Sequence, residues 1–195
     1  DTVVIKDNAG SSSTSMVLGG GLFIDDESHV TITDSTISGN TITVSGASAA
    51  KFGKGAGMYF YGETLSISGS TIEGNSITSG FADASGAGLY LSADSSWDSS
   101  VTIEDTSISN NYLSHTTTSI YADAQGAGIS IKGIKEVSLS GLTFEVNTIT
   151  SDGRSSDGGG LHIYGGISST ALNIQNTIFS ENEAVNTGTD YEARG

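Results

Sequence analysis

The chain has 195 residues, 22 acidic against 7 basic, for a formal charge of −15, and it holds no cysteine and no proline. That charge disfavours nucleic-acid backbones and anionic membranes as partners. The missing cysteines exclude a disulfide framework and a thiolate metal site, and no apolar run is long enough for membrane insertion within this segment.

The length fits one domain, and a repeat fills all of it. Ile or Phe, two residues, then Asn occurs six times: Ile5/Asn8, Ile37/Asn40, Ile72/Asn75, Ile108/Asn111, Phe144/Asn147 and Phe179/Asn182. The asparagines lie 32 to 36 residues apart. Between them recurs a glycine marker: Gly19-Gly20-Gly21-Leu22, Gly55-Ala56-Gly57-Met58, Gly86-Ala87-Gly88-Leu89, Gly126-Ala127-Gly128-Ile129 and Gly158-Gly159-Gly160-Leu161. Two markers in one phase define a solenoid.

Within a unit, the glycine marker opens an alternating strand with Leu22/Ile24, Met58/Phe60, Leu89/Leu91, Ile129/Ile131 or Leu161/Ile163 facing inward. A second alternating strand follows, with Val30/Ile32, Leu65/Ile67, Val101/Ile103, Val137/Leu139 or Leu172/Ile174 inward and polar residues between. Asp34, Gly69, Asp105, Gly141 or Asn176 then marks a bend. The chain buries the Ile/Phe, turns at Asn and buries Ile42, Ile77, Leu113, Ile149 or Ala184. Gly46 to Lys54, Ser79 to Ser85, His115 to Gln125 and Ser151 to Asp157 read as variable loops.

The pattern predicts an all-β, right-handed parallel β-helix of about five rungs, each of ~35 residues with three short strands, two tight corners and one loop. Hexapeptide repeats of a left-handed helix and glycine-rich nonapeptides of a calcium roll are absent. Asn tolerates left-handed backbone at the turn, and its amide can hydrogen-bond to a copy one rung away. Asn8, Asn40, Asn75, Asn111, Asn147 and Asn182 are therefore expected to form a structural ladder. The glycines are expected to allow positive φ or close backbone approach, and not to cradle phosphate, because a strand follows them rather than a helix.

Glycine pairs followed by an aliphatic residue, alternating with Phe-x-x-Asn, resemble the repeats of chlamydial polymorphic outer-membrane proteins and of related bacterial surface β-helix proteins. Phe144-Glu-Val-Asn147 and Phe179-Ser-Glu-Asn182 match the Phe form, and the other four copies carry Ile. The glycine marker departs from the family's frequent form, reading Gly-x-Gly followed by Leu, Met or Ile. The resemblance spans roughly residues 3 to 184. It implies an autotransporter passenger, extracellular or on a bacterial cell surface, that acts as an adhesin.

Catalytic signals are weak. His29, His115 and His162 pair with no carboxylate at a telling spacing and read as solvated; no nucleophile elbow surrounds the many serines. Asp25-Asp26-Glu27 reads as a solvated corner, with calcium on Asp25 and Asp26 as its alternative. The expectation is a non-enzyme without cofactor, an adhesin or structural stalk. The alternatives are a filament protomer and a polysaccharide-active enzyme. The chain starts inside a strand and stops where another glycine marker would open, with no cap at either end. It reads as a segment of a longer repeat protein or as a stackable protomer, so its partners are other copies end to end, or a host-surface glycan or protein. A binding face is expected on the strand after the glycines. There Phe23, Tyr59, Tyr90, Ser130 and His162 form one outward column, and Asp25, Tyr61, Ser92, Lys132 and Tyr164 a second.

Overall fold

A computed structural model describes residues 2–26, 29–45, 52–80, 83–116, 122–164, 171–188 and 192–195. Every regular element among them is a short strand, and every strand pairing is parallel. The strands form five sheets, named A to E here. Sheet A holds the Ile/Phe of the repeat in Val4–Lys6, Thr36–Ser38, Thr71–Glu73, Ser107–Ser109, Thr143–Glu145 and Ile178–Ser180. Sheet B follows the Asn in Ala9–Ser12, Thr41–Val44, Ser76–Ser79, Tyr112–His115, Thr148–Ser151 and Glu183–Asn186. Sheet C comprises Val17–Leu18, Phe52–Lys54, Asp83–Ser85, Asp123–Gln125, Ser155–Asp157 and Glu192–Arg194. Sheet D follows the glycine marker in Leu22–Ile24, Met58–Tyr61, Leu89–Ser92, Ile129–Lys132 and Leu161–Tyr164. Sheet E comprises His29–Thr33, Thr64–Ser68, Ser100–Glu104, Glu136–Ser140 and Ala171–Gln175.

Equivalent repeat positions pair without slippage, as Ile37 with Ile72, Ile72 with Ile108, and Ile108 with Phe144. A one-residue slip would turn each of these side chains from core to solvent. The interior has two parts. Large apolar side chains of sheets A, D and E, among them Phe60, Leu65, Ile72, Leu91 and Phe144, fill one. The other lies between sheets B and C and is built from Ile42, Ile77, Leu113 and Ile149 against Ala84 and Ala124.

Two sequence expectations are corrected here. Each turn carries five strands rather than three, because the Asn corner divides sheet A from sheet B and the loop segments end in sheet C. Sheet C left no alternating apolar signature because it lies close against sheet B. A Cβ added at Gly53 would stand 3.0 Å from Ile77 Cγ2 and 3.1 Å from Ile42 Cγ2, so its inward positions are Gly53, Ala84, Ala124 and Ser156. The left-handed residue at the A–B corner is also not the Asn but the residue before it: Asp7, Gly39, Gly74, Asn110, Val146 and Glu181 all have positive φ. Turning one residue early leaves the Asn side chain aimed into the solenoid. The bend between sheets E and A does carry left-handed backbone, at Asp34, Gly69, Asp105, Gly141 and Asn176.

Candidate functional site

The asparagines form one continuous hydrogen-bonded column. Asn8 Nδ2 donates to Asn40 Oδ1 at 2.8 Å, Asn40 to Asn75 at 2.9 Å, Asn75 to Asn111 at 3.0 Å, Asn111 to Asn147 at 2.9 Å and Asn147 to Asn182 at 2.8 Å. Each of these acceptors also takes the backbone N–H of the preceding Asn. The second amide hydrogen goes to a carbonyl of the neighbouring turn, for example from Asn111 to Ile72 O at 3.0 Å. Asn40, Asn75, Asn111 and Asn147 are fully buried, so every polar atom needs this partnering. From Asn40 to Asn147 the column is a structural device that uses its amide donors and acceptors internally.

A second polar column escaped the sequence reading. Ser35, Ser70 and Thr106 stack at the E–A corner, where Ser35 N donates to Ser70 Oγ at 3.1 Å and Ser70 N to Thr106 Oγ1 at 3.3 Å. Their hydroxyls donate to the carbonyls of Thr33, Ser68 and Glu104. The signal was a hydroxyl five residues before each of three successive asparagines, masked by the general abundance of Ser and Thr.

The expected binding residues are only partly brought together. The rings of Phe23, Tyr59 and Tyr90 stack in one column, at 5.2 Å and 5.4 Å between centroids and 13° and 11° between planes. Ser130 then interrupts it, and His162 stands beyond, in register but outside the stack. Tyr61, in the neighbouring column, packs against Trp97 at 5.0 Å. Exposure falls along the stack from 48% at Phe23 to 4% at Tyr90, so Tyr90 does not form part of an open face. Lys54 of sheet C explains its cover. The ammonium donates to Tyr90 Oη at 3.1 Å and lies 4.5 Å from the ring centre. Because sheet C was read as loop, nothing in the sequence placed Lys54 beside Tyr90.

Two concavities open on this side: one of about 310 Å³ beside Tyr59 and Tyr61, and a groove between sheets C and D of about 380 Å³. Sheet C lines the groove with Lys54, Asp83, Ser85, Asp123 and Gln125, with Arg154 beside them, and sheet D with Tyr90, Ser130, Lys132 and Tyr164. Tyr164 is 55% exposed. Arg154 Nε lies 4.0 Å from Asp123 Oδ1, and Asp123 also accepts from Ser155 Oγ at 2.9 Å. Burial pulls the Lys54 ammonium below its usual value, with Asp83 opposing. Burial also pushes the Tyr90 hydroxyl up, against Lys132 and Ser92.

One family model, for the right-handed β-helix region, matches residues 1–193. The chain belongs to the right-handed β-helix family. No curated protein and no solved structure matches it. The family shows the hand of the coil and its architecture.

Within this right-handed β-helix the histidines divide. His29 is exposed and lies 3.3 Å from Glu63. His115 is buried, against the expectation of a solvated loop residue, because it ends a strand of sheet B and points inward. Its Nδ1 lies 3.5 Å from Ser151 Oγ, while Nε2 is buried without a hydrogen-bond partner. His162 is half-buried with Nδ1 unpartnered. Burial lowers the pKa of both imidazoles, and nearby aspartates oppose the shift. Asp25 and Asp26 are exposed, and Glu27 lies outside the described residues. Among the described residues no three His, Asp or Glu side chains converge as a metal site.

Proposed function

We propose that this β-helix is a non-catalytic adhesin or stalk on a bacterial exterior, with the side formed by sheets C and D as its contact surface. One observation carries the reading. The described aromatic stack and a mixed-charge groove share sheet D, and Tyr90 belongs to both. Aromatic rings with adjacent polar groups are the usual composition of recognition surfaces. The inward residues are committed to packing and the Asn amides to one another, so variation on this side costs the scaffold little.

Retention of the purified protein on host-cell surfaces and on an immobilised glycan panel tests the reading. The expected result is saturable retention that Phe23→Ala/Tyr59→Ala or Tyr164→Ala weakens without shifting the melting temperature. Absence of retention on every surface, or loss-free retention in all variants, removes it. Turnover of any soluble glycan would overturn its non-catalytic part.

A further inference from the structure

We propose that the concavity beside Tyr59 and Tyr61 is a slot for one planar aromatic ring bearing a carboxylate, an aryl carboxylate. This small-molecule site goes beyond the adhesin reading and does not depend on it. It follows from the register of sheet D. Tyr61, Ser92, Lys132 and Tyr164 stand in one outward column on successive turns. Ser92 is the one small side chain of the four, buried between a ring and a long cation. In the neighbouring column rings fill three successive turns, with Phe23, Tyr59 and Tyr90 at 5.2 Å and 5.4 Å between centres. The second column therefore lacks a ring at the turn where the first holds Tyr90.

The gap has the dimensions of a ring. Tyr61 and Lys132 are two turns apart, ~9.6 Å at the spacing of parallel strands. A ring entering at the level of Ser92 would lie about 4.8 Å from each, within reach of an offset stack on Tyr61 and of a cation over its other face. Tyr59, Tyr90, Ala93, Ser95 and Gly133 complete the lining. Gly133 has φ of 71°, and a Cβ there would stand 3.1 Å from Ala93 O, so this part of the wall stays bare backbone. The volume, about 310 Å³, suits one ring or two fused rings. A puckered sugar ring is thicker and would bury hydroxyls against Ala93 and tyrosine faces that offer them no partner.

Charge decides the substituent. Lys132 is the only charged side chain in the lining, and among the described residues it makes no ion pair. Its exposed ammonium lies 5.7 Å from the ring centre of Tyr164, a contact that consumes none of its N–H donors. Asp94, next to the lining, is already taken: Oδ1 accepts from Ser96 N at 2.8 Å and from Ser96 Oγ at 2.7 Å. Burial pushes the hydroxyls of Tyr59, Tyr61 and Tyr90 up, so all three stay protonated donors. A ligand carboxylate thus meets an unpaired cation and phenol donors, whereas a cationic ring would meet the charge of Lys132. The formal charge of −15 acts on an anion from a distance, where salt screens it, and Lys132 acts at contact.

Calorimetric titration compares benzoate with three probes. Cyclohexanecarboxylate keeps the charge but not the flat ring, glucuronate carries the charge on a hydroxylated ring, and benzyl alcohol keeps the flat ring without the charge. Benzoate is expected to bind with a Kd at or below about 1 mM, and each of the others about tenfold more weakly or worse. Trp97, the single tryptophan, packs 5.0 Å from Tyr61 and reports the place: its emission should change with the same midpoint as the calorimetry. Ser92→Phe supplies the missing ring from the chain itself and should abolish benzoate binding in a folded protein. Lys132→Gln, at an exposed side chain, should weaken benzoate about tenfold, leave benzyl alcohol unchanged and keep the circular-dichroism melt in place. Should Ser92→Phe not fold, Lys132→Gln and the probe series decide. Equal binding of cyclohexanecarboxylate, glucuronate or benzyl alcohol overturns the assignment. So does unchanged benzoate affinity in folded Ser92→Phe or in Lys132→Gln, a Trp97 emission that does not respond, or no benzoate bound at about 10 mM.

Discussion

Gly57 lies directly against Asn75. A Cβ added to the glycine would stand 3.1 Å from Asn75 Cγ and would overlap the carbonyl oxygen of Gly88 in the next turn. Gly88 meets Asn111 and Gly128 meets Asn147 in the same way, and Gly160 meets Asn182 without the carbonyl overlap. The two sequence markers keep one phase because they touch across the interior, where a stack of amides leaves room only for bare backbone.

Gly88→Ala is therefore expected to destabilise the protein by about 1–3 kcal/mol through overpacking. Thermal unfolding monitored by circular dichroism reads it. A melting temperature equal to that of the parent would mean that the turn spacing is softer than the geometry requires.

Asn111→Leu removes one end of each of two ladder steps. Asn75 loses the acceptor of its N–H and Nδ2, Asn147 Oδ1 loses a donor, and Ile72 O loses its side-chain donor. The cost is expected to be about 3 kcal/mol, since leucine supplies volume but no hydrogen bonds. Urea unfolding with an unshifted midpoint would refute a ladder that matters to stability.

Val146 has φ of 54° and is 38% exposed at the A–B corner, a poor conformation for a β-branched residue. Equivalent corners use Gly39 and Gly74. Val146→Gly should relieve about 1 kcal/mol of backbone strain and raise the melting temperature by a few degrees. A lowered melting temperature would show that the valine side chain contributes more than its backbone costs.

The buried His115 gives an acid sensitivity. Burial lowers its pKa, while Asp83, Asp152 and Asp123 oppose the shift. A base whose folded pKa is depressed contributes its full stability above the unfolded pKa, about 6.5, and loses it as pH falls below that value. His162 acts in the same direction. The melting temperature should fall between pH 7.5 and 5.5, and His115→Gln should flatten part of that slope. An unchanged slope in the variant would assign the sensitivity elsewhere.

Leu172, Ile174 and Phe179 are 49%, 41% and 49% exposed, whereas their register partners Val137, Leu139 and Phe144 are buried. A protein of these 195 residues alone thus presents an apolar strand edge, and it is expected to self-associate despite its charge. Light scattering across concentrations should show growth in mass that Ile174→Lys suppresses. A single monomeric mass at high concentration would refute this.

Much of the solenoid was legible in the residues. The period, the register, the inward positions of sheets A, D and E, and the amide column all follow from repetition, because a parallel stack places like over like. What the repeat could not show was sheet C. Its inward Gly53, Ala84 and Ala124 are small because sheet B lies so near, and small residues carry no periodic signal. The candidate site was lost with it. Tyr90 and Lys132 were placed on sheet D from the sequence, but Lys54, Asp83 and Asp123 come from segments read as loop, 29 to 69 positions apart in number from one another. Only the packing of sheet C beside sheet D covers Tyr90 and gathers those charges. Repetition determines which residues stack along the axis, whereas contacts across a turn depend on how tightly the corners close.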